Sequence, residues 1–313
     1  MNSLNSNQVF YAFSPTQTPL LTVAQNEQFS LDTRDCYGNQ LLSDEDTLDD
    51  LDWNTTNPAT GPVSIQGVKP GDVVRIDINK LQLTGKSVMA TIPGCGVVSG
   101  VTEATTRVMD NSDGMLSIST VKGNLELPLN PMIGVIGLAP AEGSISNAVP
   151  GKHGGNMDCT LIGEGTSLYL HAAVEGGLFG CGDVHALMGD GEVVVCGAET
   201  PAQVTLTAAV VDVPQLPTPF VETDELYATI ASAKTTEAAF KQAVDNMFDF
   251  LTGIVGLSQG DAGRLMSLVG SLKFCQVVDP EITIRFEFPK SVLEKLGFKG
   301  IDRVLASNSF VST

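Results

Sequence analysis

The chain has 313 residues, of which 42% are hydrophobic and 17% charged, so it can bury a sizeable core in two or three packed subdomains. Lysine and arginine total 17 against 36 aspartate and glutamate residues, which gives a formal net charge of −19. Such a field repels phosphate, so it argues against nucleic acid and anionic membranes as partners and favours a small neutral substrate or a cation.

The cysteines and the N-terminus indicate the compartment. The six cysteines lie far apart, in neither a C-x-x-C pair nor a zinc-finger spacing, and a chain of this length does not need disulfides. The N-terminus lacks a basic segment followed by an apolar one, and no apolar run reaches about 18 residues. We therefore expect a cytoplasmic protein with reduced thiols, no signal peptide and no membrane segment.

Most of the chain has the rhythm of short strands and turns. Alternating apolar segments, interrupted by Pro, Gly and Asn, fill residues 1–84, and the apolar run that opens residues 128–219 is typical of a buried strand. We expect these two parts to form a β-sandwich body that carries the functional site. Between them, residues 85–127 predict a small inserted β subdomain resembling a barrel.

Residues 220–313 have a different character. Apolar side chains recur at helical spacing over residues 236–255, and a second helix is predicted at residues 258–269, ending at Gly270. An alternating strand over residues 282–288 precedes a last short helix. The predicted fold is therefore mostly β with an α+β C-terminal part.

Groups that bind metals or move protons are concentrated between His153 and Glu199. This window contains eleven glycines together with six polar residues: Asn156, Asp158, Asp183, His185, Asp190 and Glu192. Glycine permits tight turns and close backbone approach, while carboxylates and imidazole ligate metals. We expect the functional site here.

Spacing within the window leaves one question open. Asp183 and His185 are two residues apart, so both side chains leave one face of an extended strand. If Asp190-Gly191 forms a tight hairpin, Glu192 lies about 13 Å along the strand from His185, too far to share one metal. A wider loop from Leu187 to Gly191 would bring Glu192 back, and the sequence does not decide between the two.

The resulting hypothesis is a metal site with oxygen and nitrogen ligands. Asn156 and Asp158 also share one face if extended, and with Asp183 and His185 they would hold an ion that leaves a position open for water. The ion would lower the pKa of that water toward about 7, and Glu192 would take its proton. The alternative is a set of glycine-rich turns capped by Asp and Asn, with His185 a hydrogen-bonded core residue.

Two other interpretations stay open. Cys159, Cys181 and Cys196 fall inside the window and could provide a nucleophile, although a buried inert thiol is the more usual case. A non-enzymatic β-rich binding or assembly protein with a structural metal is the second alternative.

Several long motifs resemble the acetamidase/formamidase family. The central ones are GGNMD at 154–158, GTSLYL at 165–170 and GGLFGCGDVHALMGDGE at 176–192. Supporting segments are VFYAFS at 9–14, TRDCYGNQ at 33–40, NPATGPVSIQGVKPGD at 57–72, MIGVIGLAP at 132–140, LPTPF at 216–220 and CQVVDP at 275–280. The joined motif is specific, whereas its fragments singly are not.

The resemblance implies a fold and an activity. It implies hydrolysis of formamide or acetamide to ammonia and carboxylate by a jelly-roll-like β body in a homo-oligomer, a dimer or trimer. We expect a divalent metal, zinc or alternatively calcium, on Asn156, Asp158, Asp183 and His185. The catalytic residues are then Glu192, Asp190 and His185, and Asp35, His153 and Met188 are assigned to substrate binding. Met188 stands where glutamine is common in the family.

Overall fold

A computed structural model describes residues 1–301 of the chain. Twenty-one strands occur in these residues: β1 (Asn2–Leu4), β2 (Val9–Phe10), β3 (Ala12–Phe13), β4 (Leu21–Val23), β5 (Gln28–Asp32), β6 (Ala59–Ile65), β7 (Val73–Leu83), β8 (Ser87–Thr91), β9 (Thr105–Ser112), β10 (Met115–Thr120), β11 (Gly123–Pro128), β12 (Met132–Gly137), β13 (Ile145–Ser146), β14 (Gly154–Asn156), β15 (Ser167–His171), β16 (Phe179–His185), β17 (Ala202–Val211), β18 (Phe220–Glu222), β19 (Leu226–Ala233), β20 (Ser271–Gln276) and β21 (Ile282–Pro289). The helices of this part of the chain are α1 (Thr236–Asp249), continued by a π-turn at Phe250–Ile254, α2 (Gln259–Val269) and α3 (Lys290–Lys295), with 3₁₀ turns at Leu48–Asp50 and Trp53–Thr55.

The body is a sandwich of two sheets. A nine-stranded sheet runs in the order β1-β5-β17-β7-β15-β18-β19-β21-β20, and a six-stranded sheet runs β14-β12-β16-β6-β2, with β4 also paired to β6. Alternate side chains of β5, β7 and β17 meet those of β6, β12 and β16 in one apolar core that includes Phe29, Ile76, Ile136 and Phe179. Strand β16 lies inside the six-stranded sheet, between β12 and β6. It is buried along its whole length, and it carries Asp183 and His185.

The segment predicted as a barrel-like insertion is an open sheet. Strands β8 to β11 pair in the order β11-β10-β9-β8, and none of the sheets in the described residues closes into a barrel. The barrel expectation for this segment was therefore wrong, although its strands were anticipated. Met109 and Leu116 of this sheet pack against Ala186 and Ala198, which follow β16, so the insertion covers the end of the strand that carries the predicted site.

The C-terminal part extends the sandwich. Thr235 and Ser258 cap α1 and α2 by accepting hydrogen bonds from backbone N–H groups three residues on, and Gly270 follows α2 as predicted. The inner face of α1 packs on β19 and β21, with Met247 fully buried. Mostly β architecture with a C-terminal helical part is confirmed. The nine-stranded sheet is continuous across residue 219, because β15 pairs with β18, and the subdomain boundaries stay a prediction.

Candidate metal centre

Strand β16 and the segment after β14 bring three polar side chains together. Asp183 and His185 come from β16, and Asp158 follows β14 on the far side of β12. His185 Nε2 lies 3.4 Å from Asp183 Oδ1 and 3.9 Å from Asp158 Oδ1. Space for the two carboxylates exists because β12 has a glycine at this point: a Cβ on Gly134 would lie 2.3 Å from Asp158 Oδ1 and 2.6 Å from Asp183 Oδ2.

The segment after β16 returns as a wide loop. The backbone of Ala186 pairs with Ala198, and His185 bridges to Glu199, so the structure has the wide loop rather than the tight hairpin, the two arrangements that the sequence left open. Residues 187–197 bulge between these pairs and bring Glu192 back over the site. Ligand atoms of Asp158, His185 and Glu192 all lie within 4.8 Å of one another.

Three further side chains belong to the site and were not singled out from the sequence. Glu199 places Oε1 3.1 Å from His185 Nε2. Asp279 lies beside Asp158 and Asn156, and Cys36 forms a second close group with Asp183 and Glu199. Glu199 is the last residue of the predicted window, and Asp279 lies in the CQVVDP motif. Both residues therefore belong to segments that the sequence had already marked. Their approach depends on long-range packing that local spacing does not show.

Burial of so many carboxyl groups around one imidazole dominates the electrostatics. Asp158, Asp183, Glu192 and Glu199 are at most 8% exposed. Burial and the charge of Asp183 raise the pKa of Asp158 to about 7, and burial raises the pKa of Glu199 to about 8. Burial next to Asp158 also raises the pKa of Glu192 well above its usual range. These carboxyl groups need a cation or protons.

Several polar atoms of the site lack partners within the protein. In the described residues, no hydrogen-bond donor reaches either carboxylate oxygen of Asp158, Glu199 Oε2 or Asp279 Oδ2, and Asn156 Oδ1 is likewise unsatisfied. Leaving buried polar atoms unpaired costs about 1–3 kcal/mol each, and more for charged groups. The donor set, oxygens with one imidazole nitrogen, suits a divalent metal ion, so these residues are able to hold one.

The three residues assigned to substrate binding have different neighbours in the structure. Burial raises the pKa of Asp35 to about 6, with a smaller contribution from Asp183, while Asn39 N–H donates to its carboxylate. Met188 is buried in the loop that follows β16. His153 stacks edge-on against Phe13 at 5.3 Å and lines a separate cavity of about 780 Å³.

Asp190 does not join the cluster. Its two oxygens accept hydrogen bonds from Arg285 at 2.9 and 2.7 Å, and Thr160 donates to it at 2.8 Å. Arg285 belongs to β21 and is 2% exposed. The structure therefore places Asp190 in a clamp between the wide loop and the C-terminal sheet.

The cysteines of the window are buried. Burial raises the pKa of Cys181 to about 12 and that of Cys196 to about 11, which makes both poor nucleophiles at neutral pH. Cys159 is also fully buried and lies beside Cys275. All six cysteines are free thiols.

The fold and this site place the chain in a known class. The model of the acetamidase/formamidase family matches residues 3–148 and 141–295, so the chain belongs to that family. A recombinant predicted acetamidase/formamidase from Thermoanaerobacter tengcongensis superimposes with a TM-score of 0.90 at 43% identity, covering 96% of this chain and 99% of that one. An acetamidase from Bacillus halodurans superimposes with a TM-score of 0.91 at 37% identity, covering 95% and 100%.

Relatives known from sequence are more distant. A formamidase from Methylophilus methylotrophus is 21% identical over 61% of each chain. The chain spans about 57–61% of the length of the curated relatives it matches. Within residues 1–301, no helix is long and apolar enough to cross a membrane.

Proposed function

We propose that the protein hydrolyses short aliphatic amides with a divalent metal ion at the cluster around His185. The observation that carries this proposal is the ring of buried carboxyl groups on one imidazole, with both oxygens of Asp158 lacking any donor within the described residues. A neutral amide is a suitable substrate for this cluster, because a carboxylate substrate would be repelled by it. Family membership supports the reaction class, and formamide or acetamide is the substrate we propose.

The metal would be held by Asn156, Asp158, Asp183 and His185. An imidazole among carboxylates favours zinc, whereas calcium takes oxygen ligands only, so zinc is our first choice. When bound, such an ion lowers the pKa of water and polarises the amide carbonyl. His185 would ligate as the neutral imidazole, through the Nε2 atom that faces Asp183 and Glu199.

Glu192 is the group that we propose moves the protons. It lies over the cluster on the wide loop, and its raised pKa suits a carboxyl group that accepts a proton and then releases it. Glu192 would take one proton from the attacking water and deliver it to the nitrogen of the amide as the C–N bond breaks. The products are the carboxylic acid and ammonia, and the acid then loses its remaining proton to become the carboxylate. Burial of the cluster keeps bulk water from competing for these protons.

The remaining residues keep supporting roles in the proposal. Asp35, His153 and Met188 stay predicted contacts to the substrate. Asp190 holds the loop that carries Glu192 through its ion pair with Arg285, so we propose that it acts by positioning. A homo-oligomer of two or three chains stays a prediction, which sedimentation analysis of the purified protein would test. The cytoplasmic location also stays a prediction.

Two substitutions test the proposed roles of Glu192 in proton transfer and of His185 in metal binding. Glu192→Gln should keep the metal and lose activity by about 10²–10⁴-fold, because only proton transfer is removed. His185→Ala should lose both metal and activity while its circular dichroism shows a folded protein. Glu175→Gln, an exposed change of the same type, is the control. Full activity in either site variant would contradict the assignment.

The alternatives predict other results. A structural metal in a binding protein predicts bound metal but no ammonia from any amide. A cysteine amidase predicts inactivation by thiol alkylation and indifference to chelation. The burial of Cys159, Cys181 and Cys196 favours the metal proposal over the thiol one.

A further inference from the structure

A second group of ligands adjoins the first. Cys36 lies in the turn after β5, and it faces Asp183 of β16 and Glu199 at the end of the wide loop. The Cys36 Sγ atom and one carboxylate oxygen from each acid all lie within 4.8 Å of one another. We propose that these three residues hold a second divalent cation, so that the protein contains a pair of neighbouring metal sites. This inference does not depend on amide hydrolysis, but the expected total of two ions rests on the first metal of the proposed function.

Glu199 supplies an independent reason to place a ligand there. Its Oε1 atom accepts from the backbone N–H of Gly197 at 3.1 Å and lies 3.1 Å from His185 Nε2. Its Oε2 atom is buried and has no hydrogen-bond donor among the described residues. The whole residue is 1% exposed. One oxygen is therefore fixed by the protein, and the other is free to ligate.

Packing alone explains the position of Cys36 incompletely. The Cys36 side chain contacts the apolar cluster around Tyr37 and Val88, as an inert thiol would. An inert thiol gains nothing from two neighbouring carboxylates, because sulfur is a weak hydrogen-bond donor and a carboxylate repels a thiolate. A cation reverses this repulsion. On binding, the thiol releases its proton to solvent and the sulfur bonds to the metal.

Asp183 and His185 connect the two groups. The first group consists of Asp158, His185 and Glu192, and the second of Cys36, Asp183 and Glu199. Asp183 Oδ1 lies 3.4 Å from His185 Nε2, while Asp183 Oδ2 faces Asp158 across Gly134. Asp183, which the proposed function also assigns to the first ion, would therefore be a ligand that the two sites share. A ligand set of one thiolate and two carboxylates suits zinc or cobalt and is unsuited to calcium or magnesium.

Cobalt reconstitution tests the second site directly. The metal-free full-length chain would be titrated with Co²⁺ and followed by its near-ultraviolet thiolate-to-cobalt charge-transfer band, with bound metal counted by elemental analysis. We expect two equivalents of Co²⁺ per wild-type chain and a clear thiolate band. In Cys36→Ser the band should disappear, and one equivalent should remain. Cys95→Ser, which removes an exposed thiol, should behave as wild type.

Several results of the cobalt titration would overturn the proposal, and they do not all depend on one variant. A wild-type chain that binds one equivalent with no thiolate band overturns the proposal, whatever the variants do. A thiolate band that survives Cys36→Ser in a protein with wild-type circular dichroism also overturns it. Glu199→Gln provides a second variant with the thiol intact, and it should weaken Co²⁺ binding at the thiolate site by about 10-fold or more.

Discussion

Backbone strain at single residues marks the candidate metal centre. Asp158, Asp183 and Glu192 have φ values of 44°, 55° and 49°, in the left-handed region that favours glycine. Such a conformation costs about 1 kcal/mol or more for a residue with a side chain, and it persists only where the surroundings enforce it. Three strained carboxylates in one cluster indicate that the fold gives up stability to aim these side chains.

Gly134 provides the sharpest test of this close packing. Gly134→Ala would place a methyl group 2.3–2.6 Å from oxygens of Asp158 and Asp183, so these carboxylates must move. Displacing ligands by about 1 Å commonly costs about 10²-fold in activity, and we expect that loss together with weaker metal binding. Activity measured as ammonia release and metal content after dialysis would report both.

A glycine-to-alanine change at an open position is the matched control for Gly134→Ala. Gly189 lies in the wide loop, and an added Cβ meets nothing within 4 Å there. Gly189→Ala should therefore keep normal activity and metal content. If Gly134→Ala behaves like Gly189→Ala, the two carboxylates are not held as the structure indicates.

His153 predicts an acid-dependent change in stability. Burial lowers its pKa to about 4, whereas the unfolded chain takes up a proton near pH 6.5. The native state should therefore lose up to about 3 kcal/mol of stability from this residue as pH falls from 6.5 toward 4, with no contribution above pH 7.5. His153→Phe keeps the ring packed on Phe13 and removes the titration.

Denaturant unfolding across this pH range would measure the effect. The difference in unfolding free energy between wild type and His153→Phe should shift in favour of the variant as pH falls. A difference that stays constant from pH 7.5 to 4.5 would show that His153 titrates normally in the native protein.

At the scale of elements, the wide loop depends on the C-terminal sheet. Gly191 N–H donates to Cys275 O at 2.8 Å, and Val277 N–H donates to Gly191 O at 3.1 Å. Beside these bonds, the Asp190–Arg285 pair ties the loop to β21. The same segment after β20 carries Asp279 to Asp158. The C-terminal part therefore completes the candidate metal centre of the β body.

Breaking the Asp190–Arg285 clamp tests whether Asp190 positions the loop or reacts. Asp190→Asn removes a bidentate partner from a buried guanidinium, although Asp190 itself is 37% exposed at its side chain. We expect a loss of about 1–2 kcal/mol in unfolding free energy and a moderate fall in kcat, with metal content unchanged. Asp261→Asn, which breaks the exposed pair with Arg264, should cost much less, because solvent screens an exposed ion pair. Complete inactivity of a stable, metal-loaded Asp190→Asn protein would make Asp190 a catalytic residue.

Local pattern anticipated part of this arrangement and missed the rest for a physical reason. The two-residue spacing of Asp183 and His185 placed them together correctly, and helical periodicity located α1 and α2. Glu192 was undecided because its position depends on loop width, which Ala186–Ala198 pairing determines. Cys36 and Asp279 lie far from the window in sequence, so only the packed fold brings them to Asp183 and Asp158.

For the whole molecule, the net negative charge and the proposed metal both bear on stability. A net charge of −19 already opposes compaction, and the cluster adds buried carboxyl groups that repel one another. A ligand that binds only the native state stabilises it by RT ln(1 + [L]/Kd), about 4 kcal/mol at 1,000 times Kd. We expect removal of the metal to lower the melting temperature and its return to restore it. A melting temperature indifferent to chelation would argue against a metal in this cluster.

The most direct test of the account is ammonia release from formamide and acetamide by protein of known metal content, before and after chelation. We predict that the purified protein carries a divalent ion and releases ammonia, that chelation abolishes the activity, and that zinc restores it while Glu192→Gln protein with the same zinc content stays inactive. Ammonia release that continues unchanged in chelated, metal-free protein would contradict the central claim.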